Sequence, residues 1–227
     1  EVPPCDSWGT MEKLRREKEV VGIYISGHPL DDFKIEMNYF CSAKLSDLRQ
    51  LENIVNRDLT LGAVVSDVQH KVSKNGKGWA IFMMEDYDDS YEFKIFGEEY
   101  LRLKHFLVPN NFVHMKFFVK EGWVNKDTGS RGEPRIQFRE MNLLHDVMEK
   151  YAKKLTIQLN ISDLENEKIE WLEDTFRTHK GEHRLNFVVY EMKEQVKLHM
   201  PSRKHKIKIS QELLEMLEKE QFLYKLN

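Results

Sequence analysis

The 227 residues carry 35 Lys and Arg against 38 Asp and Glu, a net charge of −3, with 41% hydrophobic and 32% charged residues. That balance suits a chain with packed cores, and it excludes collagen-like repeats, bulk disorder and a membrane helix, which needs about 18 uncharged apolar residues in a row. The near-neutral charge also argues against a surface that is basic throughout, the usual footprint of a protein built wholly around nucleic acid, while leaving local patches open.

The length accommodates one large domain or two small ones. Residues 1–6 lack the basic-then-apolar order of a signal peptide, so a cytoplasmic location is expected. Cys5 and Cys41 have neither zinc-ligand spacing nor the pattern of a disulfide framework, and reduced thiols follow.

Residues 8–25 have a helical rhythm, with Thr10 available as a cap and Met11, Leu14, Lys18 and Val21 on one side. Pro29 stops any helix and holds His28 extended, so residues 26–30 form a corner, followed by a short helix through Asp32, Phe33 and Met37. Another helical turn or two is expected over 47–53. From Leu59 the period becomes two: 59–67 reads as a strand, 70–78 as a polar loop, and 79–84 and 91–96 as a hairpin around the acidic turn 85–90. A helix over 98–107 follows, then strands over 112–124 and 135–143 flanking a long polar loop. Three strands, a helix and two strands is the order of an OB-fold, a five-stranded Greek-key barrel.

Beyond 151–154 the composition shifts. A strand over 155–161, a helix opened by a Ser162–Glu165 capping box, strands over 185–190, 195–200 and 206–209, and a helix capped by Ser210 describe a small α+β domain. The expected fold is therefore mixed α/β and multi-domain: a helical linker over 1–56, an OB-fold barrel over 57–146 and an α+β domain over 147–227.

Catalytic patterns are missing. The acidic cluster Glu85, Asp86, Asp88, Asp89 and Glu92 fails as an EF-hand because Tyr91 and Gly97 stand where Gly and Glu are required, and a solvated turn is the simpler reading. Ser26-Gly27-His28 lacks the surroundings of a nucleophile elbow, so a His that bonds backbone is expected there. No P-loop, dinucleotide fingerprint or metal-ligand spacing occurs, and neither catalytic nor metal residues are assigned.

Nucleic-acid signals are local instead. Between Val68 and Met84 there is no acidic residue, and Lys71, Lys74 and Lys77 surround a glycine-containing loop suited to phosphate. Across the groove the second loop offers Trp123, Lys126, Arg131 and Arg135. If Ala80, Phe82 and Met84 face the core, Trp79, Lys94 and Phe96 face out, where bases could stack, although Phe96 beside Gly97 could also be core. A second acid-free stretch, 197–211, reads either as a charged sheet edge that blocks aggregation or as a phosphate contact.

The string 17–30, EKEVVGIYISGHPL, closely resembles a segment of the catalytic alpha subunit of bacterial replicative DNA polymerase III. Val72-Ser73-Lys74-Asn75-Gly76-Lys77 and Met84-Glu85-Asp86 with Phe93-Lys94-Ile95-Phe96 are similar to later motifs of that family. The acidic turn departs from it, because Tyr87-Asp88-Asp89-Ser90 lacks the family's glycine. This resemblance implies a C-terminal segment of a DNA-directed DNA polymerase whose catalytic, magnesium-binding domains lie upstream. The segment itself would hold no cofactor and not polymerise. Its OB-fold would bind single-stranded DNA template, its last domain would dock the clamp-loader tau subunit, and the sliding clamp would be reached through the parent protein. An anticodon-binding OB-fold like those of tRNA synthetases is the alternative. The acidic turn is expected to place negative charge at one rim of the groove and weaken binding there.

Overall fold

A computed structural model describes residues 8–22, 24–124, 131–191 and 196–227. The chain divides into two compact units, residues 1–145 and 146–227.

The first unit opens with α1 (Thr10–Val21), which ends where Gly22 turns left-handed (φ 84°) and donates its N–H to the Lys18 carbonyl. Gly9, not Thr10, occupies the N-cap position, so the capping role expected of Thr10 is not filled. After the corner come a 3-10 turn (Pro29–Phe33), α2 (Lys34–Phe40) and a kinked 3-10 segment (Leu45–Ile54).

Five strands then build one antiparallel sheet. They are β1 (Asp58–Val72), β2 (Gly78–Glu85), β3 (Ser90–Phe96), β4 (Phe112–Lys120) and β5 (Arg135–Leu143), with α3 (Gly97–Leu103) between β3 and β4. Their spatial order is β3-β2-β1-β4-β5. β1 reaches further than its apolar alternation suggests, because His70, Lys71 and Val72 keep pairing with Ala80, Trp79 and Gly78, which shortens the expected polar loop to residues 73–77. Its first half pairs with β4 and its second with β2, and an irregularity between Val65 and Asp67 marks the change. Such irregularities bend and twist a strand, which lets one long strand serve two partners.

The two ends of the strand order meet through aromatic packing. Phe93 of β3 and Phe82 of β2 lie 5.9 and 6.1 Å from Phe138 of β5, and all three are buried. Truncating a buried Phe to Ala costs about 3–5 kcal/mol, so this cluster is a principal anchor of the curled sheet. Arg102 of α3 adds polar closure by donating to the carbonyls of Phe138 and Arg139 at 3.0 and 2.9 Å.

The chain enters the second unit along α4 (Leu144–Tyr151), which the alternation of 135–143 does not announce. β6 (Lys154–Asn160), α5 (Asn166–Thr178), β7 (Lys180–Glu191), β8 (Val196–Ile207), α6 (Gln211–Lys219) and β9 (Leu223–Leu226) follow. The sheet order is β8-β7-β6-β9, with β6 and β7 parallel and the other pairs antiparallel. A parallel pair needs a long crossover, and α5 supplies it.

Two sequence expectations change here. The Ser162–Glu165 capping box does not form, since Glu165 sits at the N-cap of α5 without a side-chain bond and Ser162 bonds Glu191 instead. The separate strands expected over 195–200 and 206–209 are one strand, β8, with residues 192–195 outside the described residues. Ser210 does cap α6, accepting from the Leu213 N–H at 3.3 Å.

Candidate nucleic-acid interface

Alternation along β2 and β3 sorts their side chains cleanly. Ala80, Phe82, Met84, Phe93 and Ile95 are buried, which leaves Trp79, Ile81, Met83, Glu92, Lys94 and Phe96 on the outer face. Cross-strand register sets Lys71, Trp79 and Phe96 side by side, with Gln69, Ile81 and Lys94 in the next rank. The Trp79 and Phe96 rings stack at 5.2 Å with planes 16° apart, and the Lys71 Nζ lies 5.4 Å above the Trp79 ring. Phe96 is 54% exposed, so it belongs to this surface and not to the core.

The turn at the end of this rank is compact. Ser73 and Lys77 exchange bonds through the Ser73 N–H and the Lys77 N–H, and Gly76 takes φ 73°, a conformation that costs a residue with a Cβ. Lys74 and Lys77 are exposed on it. Lys71, Lys74, Lys77, Trp79 and Phe96 thus gather at one end of the face, with Lys94 adjoining and forming a 3.4 Å ion pair with Glu92.

The acidic turn at the other end is not a free negative rim. Asp86 is buried, and its carboxylate accepts from the Leu45, Asp88 and Asp89 N–H groups at 2.7, 2.9 and 2.9 Å. Arg49 grips Asp89 through two bonds of 2.5 and 2.6 Å, Lys44 bonds Asp88 at 2.7 Å, and Lys18 bonds Glu85. The guanidinium holds the Asp89 carboxyl down at about 2. Four carboxylates are therefore met by three cations from upstream, so most of the negative charge expected at this rim is paired. The partners lie about 40 or more positions away in the chain, beyond any local pattern.

The corner of residues 26–30 is fastened to the same turn. The His28 Nδ1 accepts from the Leu30 N–H at 3.1 Å, and the His28 N–H donates to Asp31 at 2.7 Å, as expected for a His that bonds backbone. The Tyr87 hydroxyl donates to the Leu30 carbonyl at 2.7 Å, and the His28 and Tyr87 rings lie 4.6 Å apart. Glu17 accepts from the Ile25 and Ser26 N–H groups and from the Ser26 hydroxyl, which together pull its pKa down. The string 17–30 thus serves as a structural clasp, with Ser26 and His28 engaged in bonds to Glu17 and to the Leu30 backbone.

The other predicted contacts sit elsewhere. Arg131 pairs with Glu121 at 3.6 Å, Trp123 is 67% exposed, and Arg135 opens β5 opposite Lys120. Gly122 passes so close to Gly132 that a Cβ there would collide with the Gly132 carbonyl. This hairpin extends past the Asp58 end of β1, whereas the Lys71 cluster lies at its Val72 end, so strand register does not bring the two groups together. Lys126 lies outside the described residues.

In the second unit the basic stretch behaves as a sheet edge. Lys204 bonds Glu173 at 2.6 Å and Lys206 bonds Glu182 at 3.3 Å. Among the described residues no group of three or more His, Cys, Asp and Glu is placed to hold a metal ion. Burial pushes the Cys41 thiol up to about 12, too high for a nucleophile.

Residues 155–227 match the family model of the DNA polymerase III alpha subunit, C-terminal domain. DNA polymerase III subunit alpha of Pseudomonas fluorescens is 24% identical over 170 residues, 75% of this chain and 14% of that protein. The Campylobacter jejuni subunit is 31% identical over 48% of the chain and 9% of its own length. Over these stretches the chain is similar to DNA polymerase III alpha subunits. It spans about a seventh of the length of the alpha subunits it matches. A solved OB-fold domain of replication protein A from Methanococcus maripaludis is a distant structural likeness (TM-score 0.27, 16% identity, 44% of this chain and 92% of that one), too remote to carry an argument. No helix among the described residues is long and apolar enough to cross a membrane.

Proposed function

We propose that the first unit is an OB-fold that holds single-stranded DNA template for a replicative polymerase, and that the second docks the clamp-loader tau subunit. The linker, barrel and terminal domains would span 1–56, 57–146 and 147–227. The observation that carries the DNA reading is the stacked Trp79–Phe96 pair with Lys71 above it on the outer face of β1, β2 and β3. Single-strand binders combine such platforms with cations that follow the backbone, because every base has a face to stack and every nucleotide a phosphate. The strand order and the helix between β3 and β4 support the OB-fold assignment.

Polymerisation belongs to the parent protein in this reading, as do magnesium and the sliding clamp, and no residue of this segment is assigned a catalytic part. Docking of tau is supported by β8, an edge strand that exposes Val196, Leu198 and Met200. Unpaired strand edges bind extended partners.

Titrating the full chain with a fluorescent oligo-dT tests the DNA reading. Trp79→Ala should weaken binding by about 1–3 kcal/mol, the worth of one stacked base. Unchanged affinity, or a stronger preference for folded RNA, would overturn it in favour of an anticodon-type module.

A further inference from the structure

The outer face of β4 and β5 carries a second cluster of cations with a different character. Val113, Met115, Phe117 and Val119 are buried along β4, so Lys116, Phe118 and Lys120 face out. On β5 the buried Phe138 leaves Arg135, Gln137 and Arg139 outward. Lys120 stands directly across from Arg135. Lys116 pairs with Glu140 and Phe117 with Phe138, so Arg139 is the extra residue of a bulge, and its guanidinium lies 5.3 Å above the Phe118 ring. Arg102 holds the bulge in place by bonding the Phe138 and Arg139 carbonyls.

The cations form two groups: Lys120 directly across from Arg135, and Lys116 with Arg139 in one hollow that Glu140 shares. Four residues separate them along each strand, about 13 Å at roughly 3.3 Å per residue. Asp58 and Glu140 share the hollow that holds Arg102, Lys116 and Arg139, and Glu99 lies close to Arg102 and Arg139, leaving five cations against three carboxylates among the described residues of the face. Among the described residues Lys116, Lys120 and Arg135 form no ion pair.

We propose that this face binds the phosphate backbone of double-stranded DNA, separately from the single-strand platform on β2 and β3. Charge alone fits any polyanion, and two features select the duplex. The spacing of the two groups approximates the major-groove width of about 12 Å, so each group reaches one of the two backbones that border it. The face also offers less ring surface than the single-strand platform: its outward ring, Phe118, lies half-buried under the Arg139 guanidinium with no second ring beside it, whereas Trp79 stacks against the 54%-exposed Phe96. Phosphate contact without base contact positions a duplex without reading its sequence.

The test measures binding of the full chain to a labelled blunt 16-base-pair duplex and, in parallel, to oligo-dT, over a series of salt concentrations. Removing three phosphate contacts with Lys116→Gln, Lys120→Gln and Arg135→Gln should reduce the slope of log affinity against log salt for the duplex by about 2.7, at about 0.9 per contact. Oligo-dT affinity should change by less than about twofold, and Trp79→Ala should show the opposite selectivity. Arg135→Gln alone, with a slope change of about 0.9, serves if the triple variant unfolds. No duplex binding by the wild type at low salt, an unchanged duplex slope, or equal losses for both ligands would overturn the proposal. Loss of oligo-dT binding with duplex binding intact would count against the single-strand reading alone.

Discussion

Replacing Asp86 by Ala is expected to loosen the whole first unit, although the residue sits in a turn. Its carboxylate receives three backbone N–H groups, and that of Leu45 belongs to a fully buried residue. A buried donor left without an acceptor costs about 1–3 kcal/mol, and each of the two turn donors, which water can reach, about 0.5–1.5. The sum is about 2–6 kcal/mol against a typical total of about 5–15 for a domain. Asp86→Asn retains one acceptor oxygen and should fall between Ala and the wild type. Two compact units make a single unfolding midpoint ambiguous, so the appropriate assay is native-state hydrogen exchange of the β2 and β3 amides, which reports on this unit. The expected order of protection is wild type, Asn, Ala. An Ala variant within about 0.5 kcal/mol of wild type would refute the view that the acidic turn is a buried anchor.

The Arg49–Asp89 pair predicts an acid signature. Asp89 has a folded pKa of about 2 against an ordinary 3.8, so its contribution is complete above about pH 4 and is lost as the pH falls through about 2. Arg49→Ala should therefore destabilise the first unit at pH 6 and be silent near pH 1.5, as read by urea unfolding followed through the NMR signals of the β3 amides at each pH; an effect independent of pH would contradict the pairing. Tyr87→Phe removes the bond to the Leu30 carbonyl and should cost about 1 kcal/mol, with faster exchange confined to residues 24–33. Gly122→Ala forces a collision with the Gly132 carbonyl and should lower thermal stability and exchange protection at the β4–β5 hairpin while leaving the second unit unchanged.

Much of the architecture was legible because burial enforces a period. In β2 and β3 one face is core and the other is not, so the outward set containing Trp79, Lys94 and Phe96 follows from alternation alone. The end of β1 was not legible, because His70, Lys71 and Val72 are held by pairing with β2 and not by burial. β8 read as two strands for a similar reason: residues 201–205, on an exposed edge, carry no apolar face that would join them. β9 is only four residues long, and α4 follows β5 without a break. Local polar motifs misled at Ser162, whose hydroxyl found Glu191 across the fold in preference to the adjacent helix. The pairing of the acidic turn depends on Lys18, Lys44 and Arg49, which no spacing rule connects to residues 85–89. Lys116, Lys120 and Arg139 did carry a usable signal, since they alternate with buried residues, but they lie on strands, away from the glycine-containing loops that most readily approach phosphate.

Salt dependence of single-strand binding tests the central claim most directly. If Lys71, Lys74, Lys77 and Lys94 each contact a phosphate, log affinity for oligo-dT should fall against log salt with a slope of about −2.8, at about 0.7 per contact. Lys71→Gln, Lys74→Gln and Lys77→Gln together should bring that slope to about −0.7. A wild-type chain that does not bind oligo-dT, or a slope that the three substitutions leave unchanged, would contradict it.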